Sequence, residues 1–195
     1  MQLIEAPNIY PENADLFLGG GITNCPDWQA QVVEMLEDTN LVVLNPRRSA
    51  AFTGDIADEQ IRWEYEALRA AKTVLFWFPK ETLCPITLFE LGVFSQRKDT
   101  RLIVGTHPDY ARRFDVQVQM ELSRPEVLIH DNIEDMVSDY LSVLQADALL
   151  DGYIQLASDP EYRKEAEKRK ANRGKRTARS PRTIDELIQD YQNRQ

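Results

Sequence analysis

The chain has 195 residues, 43% hydrophobic and 28% charged, with a formal net charge of −9. This is enough for one soluble domain with appendages, and too acidic for nonspecific nucleic-acid binding by the whole molecule. No apolar run approaches the roughly 20 residues that span a bilayer, and the N-terminus lacks a basic-then-apolar signal pattern, so neither a membrane nor a secretory address is expected.

A proline-punctuated leader (Met1–Ala14) precedes LFLGG, Leu16–Gly20, which reads as a short buried strand running into a glycine turn. Asp27–Glu37 has helical spacing, with Trp28, Val32, Met35 and Leu36 as its apolar side. LVVL (Leu41–Leu44) is a second strand, ended by Asn45-Pro46, and a helix follows from about Asp58 to Ala71. TVLFWF (Thr73–Phe78) is a continuous apolar run, as expected of a strand covered on both faces; Pro85 suits the first turn of the next helix, to about Gln96. RLIVGT (Arg101–Thr106) and EVLIH (Glu126–His130) are the last strands, and Ile133–Leu144 is a helix. This alternation predicts an α/β fold, a doubly wound parallel five-stranded sheet. Such sheets bind ligands at the carboxyl ends of their strands, where the loops Gly19–Asp27, Asn45–Thr53, Pro79–Cys84 and His107–Gln119 should meet.

Charge is unevenly spread. Glu161–Arg182 holds ten Lys/Arg against three Asp/Glu, a net of +7 that leaves −16 on the remainder and suggests a boundary near Ser158. The tail reads as a helix to about Lys170, a linker, and a short amphipathic helix over Thr183–Tyr191. Two cysteines, Cys25 and Cys84, give no disulfide framework or metal spacing, and two histidines are too few for a His-rich metal site; the chain reads as cytoplasmic.

Chemistry concentrates in CPITLFELGVF, Cys84–Phe94, where Glu90 is the one charge among residues that otherwise read as core. A buried, unpaired carboxylate is costly. Glu90 is either paired with a nearby arginine or is a desolvated nucleophile or acid. Thr87 lies one turn earlier on the same face. In QIRWEYEAL, Glu64 and Glu66 point about 200° apart, so only one faces a cleft, and Trp63 can form an apolar wall beside Glu64. The FLGGGIT turn can cradle an anion through backbone N–H groups, although it has neither dinucleotide-fold nor P-loop spacing. Asn45, Arg47 and Arg48 either bind a polar substrate or pair with a glutamate. Cys84 as a nucleophile lacks an activating base.

Together, FLGGGIT, CPDW, NPRR, Trp63-Glu64 and FPKETLCPITLFELG resemble the nucleoside 2-deoxyribosyltransferase family, in its deoxyribosyltransferase-like branch, over roughly Ala14–Gln119. The resemblance implies a flavodoxin-like, Rossmann-like domain (residues 1–148); the tail lies outside it and reads, from its composition, as a charged helical extension (149–195). It also implies transfer of 2-deoxyribose from a 2′-deoxynucleoside to a free nucleobase, without metal or organic cofactor. By the family pattern Glu90 is the nucleophile and Glu64 the acid. Gly19, Gly20, Gly21, Thr23, Asp27, Trp28, Asn45, Arg47, Trp63, Phe78, Cys84 and Thr87 are the substrate-binding candidates. A homo-oligomer with shared active sites is implied as well. The chain departs from the pattern at Phe17, where many members have tyrosine, at Cys84, where transferases carry aspartate and nucleotide hydrolases serine, and at Thr23, where the hydrolases have arginine.

Three other readings stand beside transfer. They are a nucleoside or nucleotide N-glycosidase using the same Glu90, a non-catalytic nucleotide sensor on the same fold, and an interaction protein working through the basic tail.

Overall fold

The computed structural model describes residues 1–48 and 56–173. Its sheet has six parallel strands: β1 (Gln2–Glu5), β2 (Ala14–Gly20), β3 (Val42–Asn45), β4 (Ala71–Phe78), β5 (Arg101–Thr106) and β6 (Ile129–His130). Their order is β1-β3-β2-β4-β5-β6. Without β1 this is the flavodoxin-like order, and the chain reverses direction across the sheet between β2 and β4. The helices are α1 (Trp28–Met35), α2 (Ala57–Ala70), α3 (Pro85–Ser95), α4 (Arg113–Ser123), α5 (Ile133–Ser158) and α6 (Pro160–Arg173).

The unbroken apolar run of β4 follows from its central place. Val74, Phe76 and Phe78 pack on one face with Trp63, Leu68, Leu91, Phe94 and Met120 from α2, α3 and α4. Leu75 and Trp77 pack on the other with Trp28 and Val32 of α1 and Met136, Val137 and Tyr140 of α5. Because side chains alternate along a strand, both sets of residues must be apolar.

Four elements differ from the sequence expectation. The sheet has six strands rather than five, because Gln2–Glu5 in the leader pairs with β3. Its prolines, Pro7 and Pro11, follow this strand rather than interrupt it. The expected rim loop His107–Gln119 is helical from Arg113; only Val116 and Met120 of α4 are buried and Phe114 is exposed, so its amphipathic signal is thin. The EVLIH strand shrinks to Ile129–His130, paired to Val104 and Gly105. The helix expected to end at Leu144 continues to Ser158. The proposed Thr183–Tyr191 helix lies outside the described residues.

Backbone contacts divide the chain into two units, Met1–Leu144 and Gln145–Gln195. The first holds the sheet. In the second, Asp159 joins α5 to α6, and the Arg163 guanidinium donates to the Ala157 carbonyl at 2.6 Å. Among the described residues no helix is long and apolar enough to cross a membrane.

Close packing, not a left-handed backbone, explains the glycine run, since no described glycine has positive φ. A Cβ on Gly20 would lie 2.5 Å from the Trp28 ring and 2.5 Å from the Trp77 carbonyl oxygen. The backbone contact cannot move cheaply. Gly20→Ala is therefore expected to destabilise the fold by about 3 kcal/mol, the upper range for overpacking. A urea titration should show a lower midpoint at unchanged m-value; an unchanged midpoint would contradict the packing argument.

Candidate active site

A cleft of about 750 Å³ opens at the carboxyl ends of β2, β3 and β4 and runs between α2 and α3. Gly19, Gly20, Gly21 and Thr23 line it from β2 and its following turn; Arg47 and Arg48 do so after β3, and Thr82 and Cys84 after β4. The α2 wall presents Gln60, Ile61, Glu64, Tyr65 and Arg69; the α3 wall presents Ile86, Thr87, Phe89, Glu90 and Val93. Both walls follow helical i, i+3, i+4 spacing, which turns one face of each helix to the cleft.

Glu90 sits in the second turn of α3, half-buried, and has no hydrogen-bond partner among the described residues. Its carboxyl is pushed up to about 8, first by burial and then by the charge of Glu64. Glu64 faces it from α2. Burial raises the Glu64 pKa too, but a hydrogen bond from Gln60 and the positive charge of Arg48 oppose the rise. The Gln60 amide donates to Glu64 Oε1 at 2.6 Å and to the Pro46 carbonyl at 2.8 Å. Its oxygen accepts from Arg48 Nε, while Arg48 Nη2 pairs with Glu59 at 2.9 Å. Gln60 thus has a fixed orientation, with its donors toward an ionised Glu64. Of the two, these surroundings favour the proton on Glu90 and the charge on Glu64.

Cys84 caps α3 in the left-handed region, with φ 47° and ψ 54°, an uncommon conformation for a residue with a side chain. The Tyr110 hydroxyl donates to the neighbouring Leu83 carbonyl at 2.8 Å, and the Leu88 amide donates to the Cys84 carbonyl at 2.9 Å. Burial pushes the Cys84 thiol up to about 12, with Cys25 adding to the rise, so the thiol stays protonated. A Cβ on Gly21 would come within 3.0 Å of the Cys84 sulfur, so the glycine turn lies tight against this loop.

The cleft gathers nine of the fourteen residues singled out from sequence: Gly19, Gly20, Gly21, Thr23, Arg47, Glu64, Cys84, Thr87 and Glu90. The other five do not line it. Asp27 caps α1 through the Ala30 amide and pairs with Arg47, each at 3.1 Å. Trp28 is buried, with its indole N–H on the Gly21 carbonyl at 2.8 Å. Asn45 is buried and accepts from the Arg47 amide at 3.0 Å. Trp63 donates to the Asn8 carbonyl at 2.9 Å and packs edge-on to Tyr10. Phe78 is buried against Tyr110.

Sequence reasoning missed Gln60, Tyr65 and Arg69. Gln60 lies four residues before Glu64 and Tyr65 four before Arg69, so the spacing would have placed them on neighbouring rows of one helix face once Glu64 was chosen. The Arg69 guanidinium lies 3.4 Å from the centre of the Tyr65 ring.

No curated protein matches the chain. A family model, described as nucleoside 2-deoxyribosyltransferase like, matches residues 13–110, half of the chain and every residue that lines the cleft. The chain belongs to the nucleoside 2-deoxyribosyltransferase-like family.

Proposed function

We propose that the protein transfers 2-deoxyribose between nucleobases, with Glu90 as nucleophile and Glu64 as acid and base. The observation that carries this reading is the pair of carboxyl groups lining one cleft, with Glu90 pushed up by burial and by the charge of Glu64. Cleaving an N-glycosidic bond needs one carboxylate to capture C1′ and one proton for the departing base. The pair holds both. When the proton passes from Glu90 to Glu64, Glu90 becomes the nucleophile and Glu64 the acid. The C1′–N bond breaks as the C1′–O bond to Glu90 forms, and the proton leaves on the nucleobase. A second base then attacks C1′ from the same face, returning a proton to Glu64 and freeing Glu90, with net retention.

In this reading Thr87, Arg47, Thr23 and the glycine turn, which line the cleft, hold the sugar and base. This chemistry asks for no metal or organic cofactor. It fits a cytoplasmic enzyme of nucleoside salvage.

One observation favours hydrolysis as the second reading. Ile61, Tyr65, Ile86 and Phe89 line the cleft and are exposed, which leaves its mouth open to water. Transfer requires that water be excluded, so the transferase reading includes a homo-oligomer whose neighbouring copies complete each site. The test is incubation with a deoxynucleoside and a different free base, followed by chromatography. A new deoxynucleoside supports transfer, free base alone supports the N-glycosidase, and no product from any donor removes both.

A further inference from the structure

We propose that Gln60 is a positioning residue for the two carboxyl groups, locked by Arg48 in the one orientation that keeps the charge on Glu64 and leaves the proton to Glu90. Its catalytic meaning rests on the reading above, but what it asserts is a property of the unliganded protein. Glu90 has no hydrogen-bond partner among the described residues, so the asymmetry between the two glutamates is built on the α2 side. A carboxamide can present either its oxygen or its nitrogen, and the end it presents decides which form of a neighbouring carboxyl it favours.

Two contacts leave Gln60 no choice. Arg48 Nε only donates, so the amide oxygen must face it; the Pro46 carbonyl only accepts, so the amide nitrogen must face that, at 2.8 Å. The second N–H is then aimed at Glu64 Oε1, at 2.6 Å. A turned amide would lose all three bonds at once, with its oxygen against two acceptors and its N–H groups against a guanidinium. Gln60 is 6% exposed, so water does not replace them easily. The spacing of four residues to Glu64 along α2 holds the pair in register, and Glu59 anchors Arg48 in turn at 2.9 Å. Charge acts in the same direction. Arg48, after β3, favours ionised Glu64, and Glu90 faces it from α3. The other charged side chains lining the cleft are Arg47, ion-paired with Asp27, and Arg69, stacked on Tyr65.

Carbon-13 titration of the glutamate carboxyls in the unliganded full chain tests this without substrate, with Glu64→Gln and Glu90→Gln assigning the two signals. In the wild type Glu64 is expected to ionise first as pH rises, and Glu90 second. Gln60→Met, close in size but without a donor, should move the Glu64 midpoint up by about one pH unit, a tenfold change in its ionisation constant. Gln60→Glu keeps the shape and the Arg48 contact while turning a donor into an acceptor, and should raise that midpoint further. The acid limb of kcat/KM should move with it, which a merely structural role would not cause. A wild type in which Glu90 ionises first, or a Glu64 midpoint unmoved in whichever Gln60 variant folds, would overturn the inference. Shifted midpoints in a protein that transfers nothing would uphold it and remove the transferase reading instead.

Discussion

Glu90→Gln is expected to reduce deoxyribosyl transfer by on the order of 10⁴-fold and, in the same protein, to raise the melting temperature above pH 7. The loss follows from the chemistry, because an amide oxygen cannot form the ester that holds C1′. The gain follows from linkage. The folded protein holds the Glu90 proton up to about pH 8, while the unfolded chain releases it near the ordinary 4.5. Between those values the native state binds more protons than the unfolded one, so stability is full below pH 4.5, falls as pH rises, and levels off above pH 8. Glutamine is neutral throughout and escapes that loss. Discounted for a half-buried group, the gain at pH 8 is about 1–3 kcal/mol and disappears in acid. Thermal unfolding of both proteins at pH 4.5 and pH 8, beside the transfer assay, separates the two effects. A variant less stable than wild type at pH 8 would mean that the Glu90 carboxylate has a native partner, and a variant that still transfers would remove it as nucleophile.

Glu90 stands out in the sequence as the one charge in an apolar helix, and the structure puts it in the cleft. The central strands were legible for a related reason, since a strand buried on both faces has no polar alternation to confuse with loop. Where the structure departs from the reading, the local signal is weak. β1 is four residues long and pairs on one side only, so nothing in QLIE distinguishes it from the leader around it. α4 buries only two side chains. Gln60 is an ordinary helix residue until the fold brings Arg48 and the Pro46 carbonyl to it from the loop after β3. Asp27, Trp28, Asn45, Trp63 and Phe78 show the converse. None of them lines the cleft: Trp28, Asn45, Trp63 and Phe78 are buried in the core around it, and the exposed Asp27 caps α1.

Glu64→Gln is expected to reduce transfer by about 10²–10⁴-fold and to change the shape of its pH profile. Wild-type kcat/KM should be bell-shaped, because the productive free enzyme has one proton on the pair. It should rise as the second proton leaves Glu64, somewhat above the ordinary carboxylate range, and fall above about pH 8 as the last proton leaves. In the variant no acid remains, and Glu90 must ionise before it can attack. Losing the Glu64 charge lowers the Glu90 pKa, while burial, the larger cause, keeps it above 4.5. The residual rate should then rise once, between pH 4.5 and 8, and stay level in alkali. A deoxyriboside whose leaving group departs without protonation should recover most of the lost rate, since only acid assistance is missing. If Glu64→Gln keeps the wild-type bell, or if the activated substrate is no better than a nucleoside, the proton for the departing base comes from elsewhere. Glu64 would then act only through its charge, holding the proton on Glu90 until substrate displaces it.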